Sequence, residues 1–127
     1  MLKISLSEPE WEIMSVIWGK GKATVREVWQ ELYPEAEKAY TTVQTMMERL
    51  VKKGVLRKEK IGLVNFYWPL VTKQEAARQV TRKLANRLFG GSFGNLAAYL
   101  IGSGQLTEEE IQLIKEMIQQ KEKGREK

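Results

Sequence analysis

Apolar positions recur along this chain at helical spacing in six runs, interrupted once by a strand-like stretch. Four of the runs open in the same way. Ser7-Glu8-Pro9-Glu10, Thr24-Val25-Arg26-Glu27, Thr72-Lys73-Gln74-Glu75 and Thr107-Glu108-Glu109-Glu110 each set a hydroxyl three residues ahead of a Glu. In that arrangement each side chain bonds the other's backbone amide and starts a helix. Leu6 with Trp11, and Leu106 with Ile111, add apolar staples across two of these starts. The first helix carries Trp11, Met14, Ile17 and Trp18, and Gly19 with Gly21 is expected to end it near Trp18. The second carries Val25, Val28, Trp29 and Leu32 and closes near Tyr33, ahead of Pro34.

A third helix is predicted from Tyr40 to Lys53, with Gly54 at its end. Val43, Met47 and Leu50 share one face of its wheel, flanked by Met46 and Val51. Thr41, Thr45, Glu48 and Lys52 share the opposite face, with Thr42, Gln44 and Arg49 beside them. Val55–Lys60 and Val64–Trp68 then read as short strands around an Ile61-Gly62-Leu63 turn, stopped by Pro69. Three helices and a hairpin make a winged helix-turn-helix over residues 1–70.

Residues 71–127 read differently. A helix from Thr72 to about Phe89 carries a narrow stripe of Ala76, Ala77, Val80, Leu84 and Leu88, broken by Gly90-Gly91. The next holds Phe93, Leu96, Ala97, Leu100 and Ile101, broken by Gly102-Ser103-Gly104. The last holds Ile111, Ile114, Met117 and Ile118, with a polar tail expected to fray from Lys121. So short a helical segment struggles to bury its own stripes, which implies a partner surface: either the chain's own winged helix, onto which the helices would fold back, or another copy. The economical cover is the same segment of a second copy across a two-fold axis. Val80, Leu84, Leu88, Leu96, Leu100, Ile101, Ile111, Ile114 and Ile118 are the expected dimerisation positions. The fold class is thus mostly α with a small β-hairpin: an N-terminal winged helix and a C-terminal helical dimerisation region.

Charge sharpens the picture. The chain is +5 overall, and residues 38–60 alone hold seven Lys or Arg against Glu48 and Glu59. The basic excess therefore sits on the third helix and hairpin, as a reader of a polyanion requires. All 16 acidic residues are Glu, and there is no Cys, His or Asp. That removes the usual zinc and iron–sulfur ligands and both Ser-His-Asp and Cys-His catalysis. No enzyme, cofactor or metal site is expected. With no run near the ~20 apolar residues that span a bilayer, and no signal-peptide core, the expected location is the cytoplasm without membrane insertion.

The outer face of the third helix suits double-stranded DNA. Gln and Arg pair bidentately with adenine and guanine, and a Thr methyl packs on thymine. Thr41, Thr42, Gln44, Thr45 and Arg49 are the candidate base-and-backbone readers, with Tyr40 either touching phosphate or packing at the helix start. Thr41 and Thr42 also fit a plain capping role. Lys52, Lys53, Arg57, Lys58 and Lys60 are the phosphate and wing candidates, joined by Arg26 early in the second helix. Trp11, Trp18 and Trp29 fall on apolar stripes and read as core, with Trp68 packing under the wing. Two copies would read two half-sites ~34 Å, or a multiple, apart. The competing reading is a winged-helix protein-interaction module that docks an acidic partner without reading sequence.

Four segments in order, LSEPEWEIMSVIW, YTTVQTMMERLVKKGVL, the hairpin ending FYWP, and LTEEEIQLI, resemble the bacterial penicillinase-repressor family, of BlaI, MecI and CopY type. The resemblance implies a dimeric repressor on a palindromic operator. In the lactam-responsive branch it implies a membrane sensor protease, acting indirectly, and cleavage at an Asn-Phe bond in the fifth helix. The corresponding positions here are Tyr99 and Leu100, so that scissile pair is absent. The copper branch binds metal through C-terminal cysteines, which this chain lacks.

Overall fold

The structure, a computed structural model, describes residues 2–125. The elements run α1 (Glu8–Lys20), α2 (Val25–Leu32), α3 (Tyr40–Lys52), β1 (Leu56–Ile61), β2 (Val64–Pro69), α4 (Lys73–Leu88), α5 (Phe93–Gly102) and α6 (Glu108–Arg125). The chain is mostly α-helical with one antiparallel hairpin, a winged helix-turn-helix followed by a helical region.

The helix starts follow the predicted chemistry. Ser7 and Glu10 form the reciprocal box on α1, Thr24 and Glu27 on α2. On α6, the Thr107 amide donates to Glu110 at 2.9 Å and the Glu110 amide to Thr107 at 3.1 Å. On α4 the Glu75 amide donates to the Thr72 hydroxyl at 3.0 Å. Several boundaries differ from expectation. The strands run Leu56–Ile61 and Val64–Pro69, with Pro69 paired to Leu56 as the last residue of β2. Three more differences have a clear cause. α1 runs through Gly19 to Lys20 and stops at Gly21, whose φ of 86° favours glycine and whose amide donates to the Ile17 carbonyl at 2.8 Å. The wing turn is the two-residue Gly62-Leu63, because Ile61 pairs with Val64 and Gly62 takes a φ of 66° that a tight hairpin needs. α6 continues past Lys121 to Arg125. Lys121, Glu122, Lys123 and Arg125 are strong helix formers and carry this last turn without an apolar face.

The chain divides into two compact units, one ending at Gln79 and one beginning at Val80. The first is the winged helix. Ile13, Met14, Ile17, Val43, Met47 and Leu50 fill its centre without exposure, and Tyr67 of β2 is buried beside them. Ala23, in the α1–α2 loop, exchanges backbone hydrogen bonds with Tyr67 at 2.8 and 3.0 Å, so it acts as a third strand against the hairpin. Trp18 donates its indole N–H to the Val71 carbonyl at 2.9 Å and tilts against Trp11. The start of α4 belongs to this unit. Ala76 is buried, the Ile4 amide donates to Gln79 Oε1 at 2.9 Å, and Gln79 Nε2 donates to the Leu2 carbonyl at 2.6 Å. A composition change at residue 70 marks the end of the hairpin, whereas packing ends only at Gln79.

In the second unit Ala85 and Leu96 are buried, so Leu96 is covered by its own chain. Val80, Leu84, Leu88, Leu100, Ile101, Ile111 and Ile118 remain exposed, and Ile114 is half-buried. An open apolar groove runs between α5 and α6, lined by Leu100, Ile101, Ile114, Met117 and Ile118 with Lys121 and Arg125 at its end.

Candidate nucleic-acid interface

α3 is amphipathic in the way its wheel predicts. Val43, Met46, Met47 and Leu50 are buried, while Thr41, Thr42, Gln44, Thr45, Arg49 and Lys52 are exposed along the other side. Its N-cap is Ala39, which offers no side-chain oxygen to the first turn, so neither Thr41 nor Thr42 serves as the cap. The Thr45 hydroxyl donates to the Thr41 carbonyl at 2.9 Å. That bond fixes the rotor and leaves its oxygen as an acceptor.

The start of α3 is set by aromatic packing. Trp29 donates its indole N–H to the Lys38 carbonyl at 2.8 Å and meets the Tyr40 ring edge-on at 5.8 Å. The Arg26 guanidinium lies over the other part of this corner, 5.7 Å from the Tyr40 ring centre. Arg26, Tyr40 and Gln44 therefore share a groove with Leu63, Asn65 and Phe66 of the wing. A sequence pattern had no means of bringing Arg26 and the wing to one place.

The cations fall into two groups. Arg49, Lys52 and Lys60 make no ion pair among the described residues, and all are exposed. The others are engaged. Arg57 donates to Glu59 at 2.7 Å and lies 5.2 Å from the Trp68 ring. Lys58 donates to Glu48 at 3.0 Å. Lys53 donates to both oxygens of Glu10, at 2.8 and 3.1 Å, and to the Ser5 carbonyl at 3.2 Å. Glu10 is 2% exposed. Burial pushes its carboxyl up, but hydrogen bonds from Lys53 and Ser7 and the Lys53 charge outweigh that and hold it below the ordinary 4.5. Lys53 thus answers a buried carboxylate at the C-terminal end of α3.

Two residues outside the predicted set belong to this surface. Lys22 sits over the outer face of the wing, 4.9 Å from the Trp68 ring and 5.6 Å from Phe66. Glu48 of α3 accepts the Tyr67 hydroxyl at 2.6 Å as well as Lys58. The Tyr67 bond first, then Lys58, hold Glu48 below the ordinary carboxylate range against a smaller push from burial. Burial, then the Glu48 bond and charge, push the Tyr67 phenol well up. The period-two pattern of β2 points Tyr67 inward, but the partner it meets there is not a sequence feature.

A two-strand wing beside a helix with an open Thr, Gln and Arg face is the geometry on which sequence comparison bears. The family model described as penicillinase repressor matches residues 6–120. The chain belongs to the penicillinase repressor family. Among its relatives, the methicillin resistance regulatory protein MecI of Mammaliicoccus sciuri is 25% identical over 116 residues, covering 91% of this chain and 94% of that protein. The penicillinase repressor of Bacillus licheniformis is 30% identical over 115 residues, covering 91% of this chain and 90% of the other. The solved structure of the monomeric form of Bacillus licheniformis BlaI in complex with the blaP half-operator matches with a TM-score of 0.50 and 36% identity. It covers 57% of this chain and 88% of that one.

In this member of the penicillinase repressor family, Tyr99 and Leu100 lie in α5, 61% and 49% exposed, with the Tyr99 ring 5.5 Å from Phe89. No helix among the described residues is long and apolar enough to cross a membrane.

Proposed function

We propose that this chain is a dimeric, sequence-specific DNA-binding repressor that reads a palindromic operator with α3 and the wing, in the cytoplasm. The observation that carries the reading is the outer face of α3. It presents Thr41, Thr42, Gln44, Thr45 and Arg49 to solvent, with Arg49 and Lys52 unpaired among the described residues. A face of that chemistry, one helix wide, fits the major groove. Arg26 and Lys60 flank it as phosphate contacts, and Tyr40 supports the helix start. Arg57 and Lys58 reach phosphate only by leaving their carboxylates. Lys53 stays with Glu10 and adds little to the grip. The half-operator complex of the Bacillus licheniformis relative supports the same use of the winged helix. The exposed stripes of α4, α5 and α6 supply the second copy and so the second half-site.

The test is binding of the full chain to a preferred and a scrambled duplex across a range of salt. Log affinity should fall with log salt by roughly 0.9 per phosphate neutralised. Arg49→Ala should cost the preferred duplex about 1–3 kcal/mol and the scrambled one far less. Equal losses on both duplexes would remove Arg49 from base reading.

A further inference from the structure

Glu48 is a carboxylate on a face otherwise suited to a polyanion. It shares the α3 stripe with Thr41, Thr45 and Lys52 and neighbours Arg49. It is not idle there. One oxygen, Oε1, accepts a hydrogen bond from each strand of the wing: from Lys58 Nζ of β1 at 3.0 Å and from Tyr67 Oη of β2 at 2.6 Å. Lys58 and Tyr67 are directly opposed in the hairpin register, so the carboxylate grips both strands at one level. Directly opposed residues project from the same face of the hairpin, here the face toward α3. Tyr67 is itself buried, 1% exposed, and bonded through its backbone to Ala23. The hydroxyl therefore ties α3 to the buried part of the hairpin, while Lys58 extends the tie to the strand that carries the wing cations.

We propose that Glu48 is a positioning residue for sequence reading: it sets the wing against α3 and withholds Lys58 from indiscriminate phosphate binding. The inference rests on the DNA-reading function proposed above. Two effects follow from the geometry. Without the tie, the wing loses its fixed offset from α3, and the preferred duplex loses contacts that depend on both elements being in register. Without the carboxylate, one negative charge leaves the surface and Lys58 becomes free, so binding to any duplex gains from counterion release. The first effect weakens the specific complex alone and the second strengthens both complexes, so the ratio of specific to nonspecific affinity falls. A carboxylate that served only stability would not separate them.

The experiment measures the full chain and the variants Glu48→Ala, Glu48→Gln and Tyr67→Phe on a duplex selected from a random pool and on its scrambled control, over a salt series. Circular dichroism and tryptophan fluorescence establish that each variant is folded. For Glu48→Ala the ratio of specific to nonspecific affinity should fall roughly tenfold, the equivalent of one hydrogen bond to a charged group. The salt slope on scrambled DNA should steepen by about one phosphate. Glu48→Gln keeps an acceptor for Tyr67 and should steepen the slope with a smaller fall in the ratio. Tyr67→Phe removes the hydroxyl but leaves the Lys58 pair, so the ratio should fall with the slope unchanged. If Glu48→Ala alters both affinities by the same factor, Glu48 is only an electrostatic penalty and the inference is overturned. If the unaltered chain shows no preference for any duplex, the DNA-reading function fails first and takes the inference with it.

Discussion

Replacing Lys53 by Met should destabilise the winged helix at neutral pH and do so much less in acid. The Lys53 ammonium makes three hydrogen bonds, at 2.8 and 3.1 Å to Glu10 and 3.2 Å to Ser5, and Met keeps the stem without the charge. Removing one partner of a fully buried ion pair costs about 3–5 kcal/mol. Here the Lys53 side chain is 37% exposed, so water reaches the pair and screening reduces its worth. Glu10 also retains the Ser7 amide at 2.9 Å. A loss of about 1–2 kcal/mol remains, near the value of one charge-assisted bond. For a unit of this size that lowers Tm by roughly 4–16 °C. The sign of the pH dependence follows from Glu10. Its folded pKa lies below 4.5, so its contribution is present above that value and is lost as pH falls through the folded pKa. In Lys53→Met the carboxyl keeps its burial and loses its main compensation, so its pKa rises and the carboxyl protonates sooner. The gap between the two proteins is widest at neutral pH and closes on acidification. Urea unfolding followed by Trp11 and Trp18 fluorescence measures it. Equal stability at neutral pH, or a gap that persists unchanged well below pH 4.5, would refute the role given to this pair.

Two further outcomes are expected. Thr24→Ala removes the oxygen that accepts the Glu27 amide at 3.1 Å, and thermal unfolding should show a loss of about 1 kcal/mol. Leu84→Lys with Ile118→Lys places charge on two exposed stripes. Each apolar side chain buried in an interface is worth about 1.5–3 kcal/mol. Sedimentation should therefore show a shift from dimer to monomer, with operator affinity falling in step and the winged-helix fold unchanged.

Much of the fold was legible because its signals are local. Ser7 with Glu10 and Thr24 with Glu27 write a helix start within four residues, and Gly62 writes a turn. The outer face of α3 was legible for the same reason, since helical period alone separates Thr41, Thr45 and Arg49 from Val43 and Met47. The partners of the charged side chains were not legible, because they come from distant parts of the chain. Lys53 and Glu10 are 43 residues apart, and Tyr67 and Glu48 are 19 apart. A run of lysines around Gly54 looks uniform in sequence. In the fold Lys53 answers a buried carboxylate, Lys58 answers Glu48, and Lys52 remains available. The end of the first unit was hidden likewise, because Gln79 is held by Leu2 and Ile4, 77 and 75 residues earlier in the chain.

The central claim, a paired reader of DNA sequence, is tested most directly by selection of duplexes from a random pool with the full chain. The account predicts enrichment of one two-fold symmetric site whose half-sites lie ~34 Å, or a multiple, apart along the helix axis. Arg49→Ala should relax preference at a symmetric pair of positions within it. A bound pool with no enriched sequence, or a single enriched site without its symmetric mate, would contradict it.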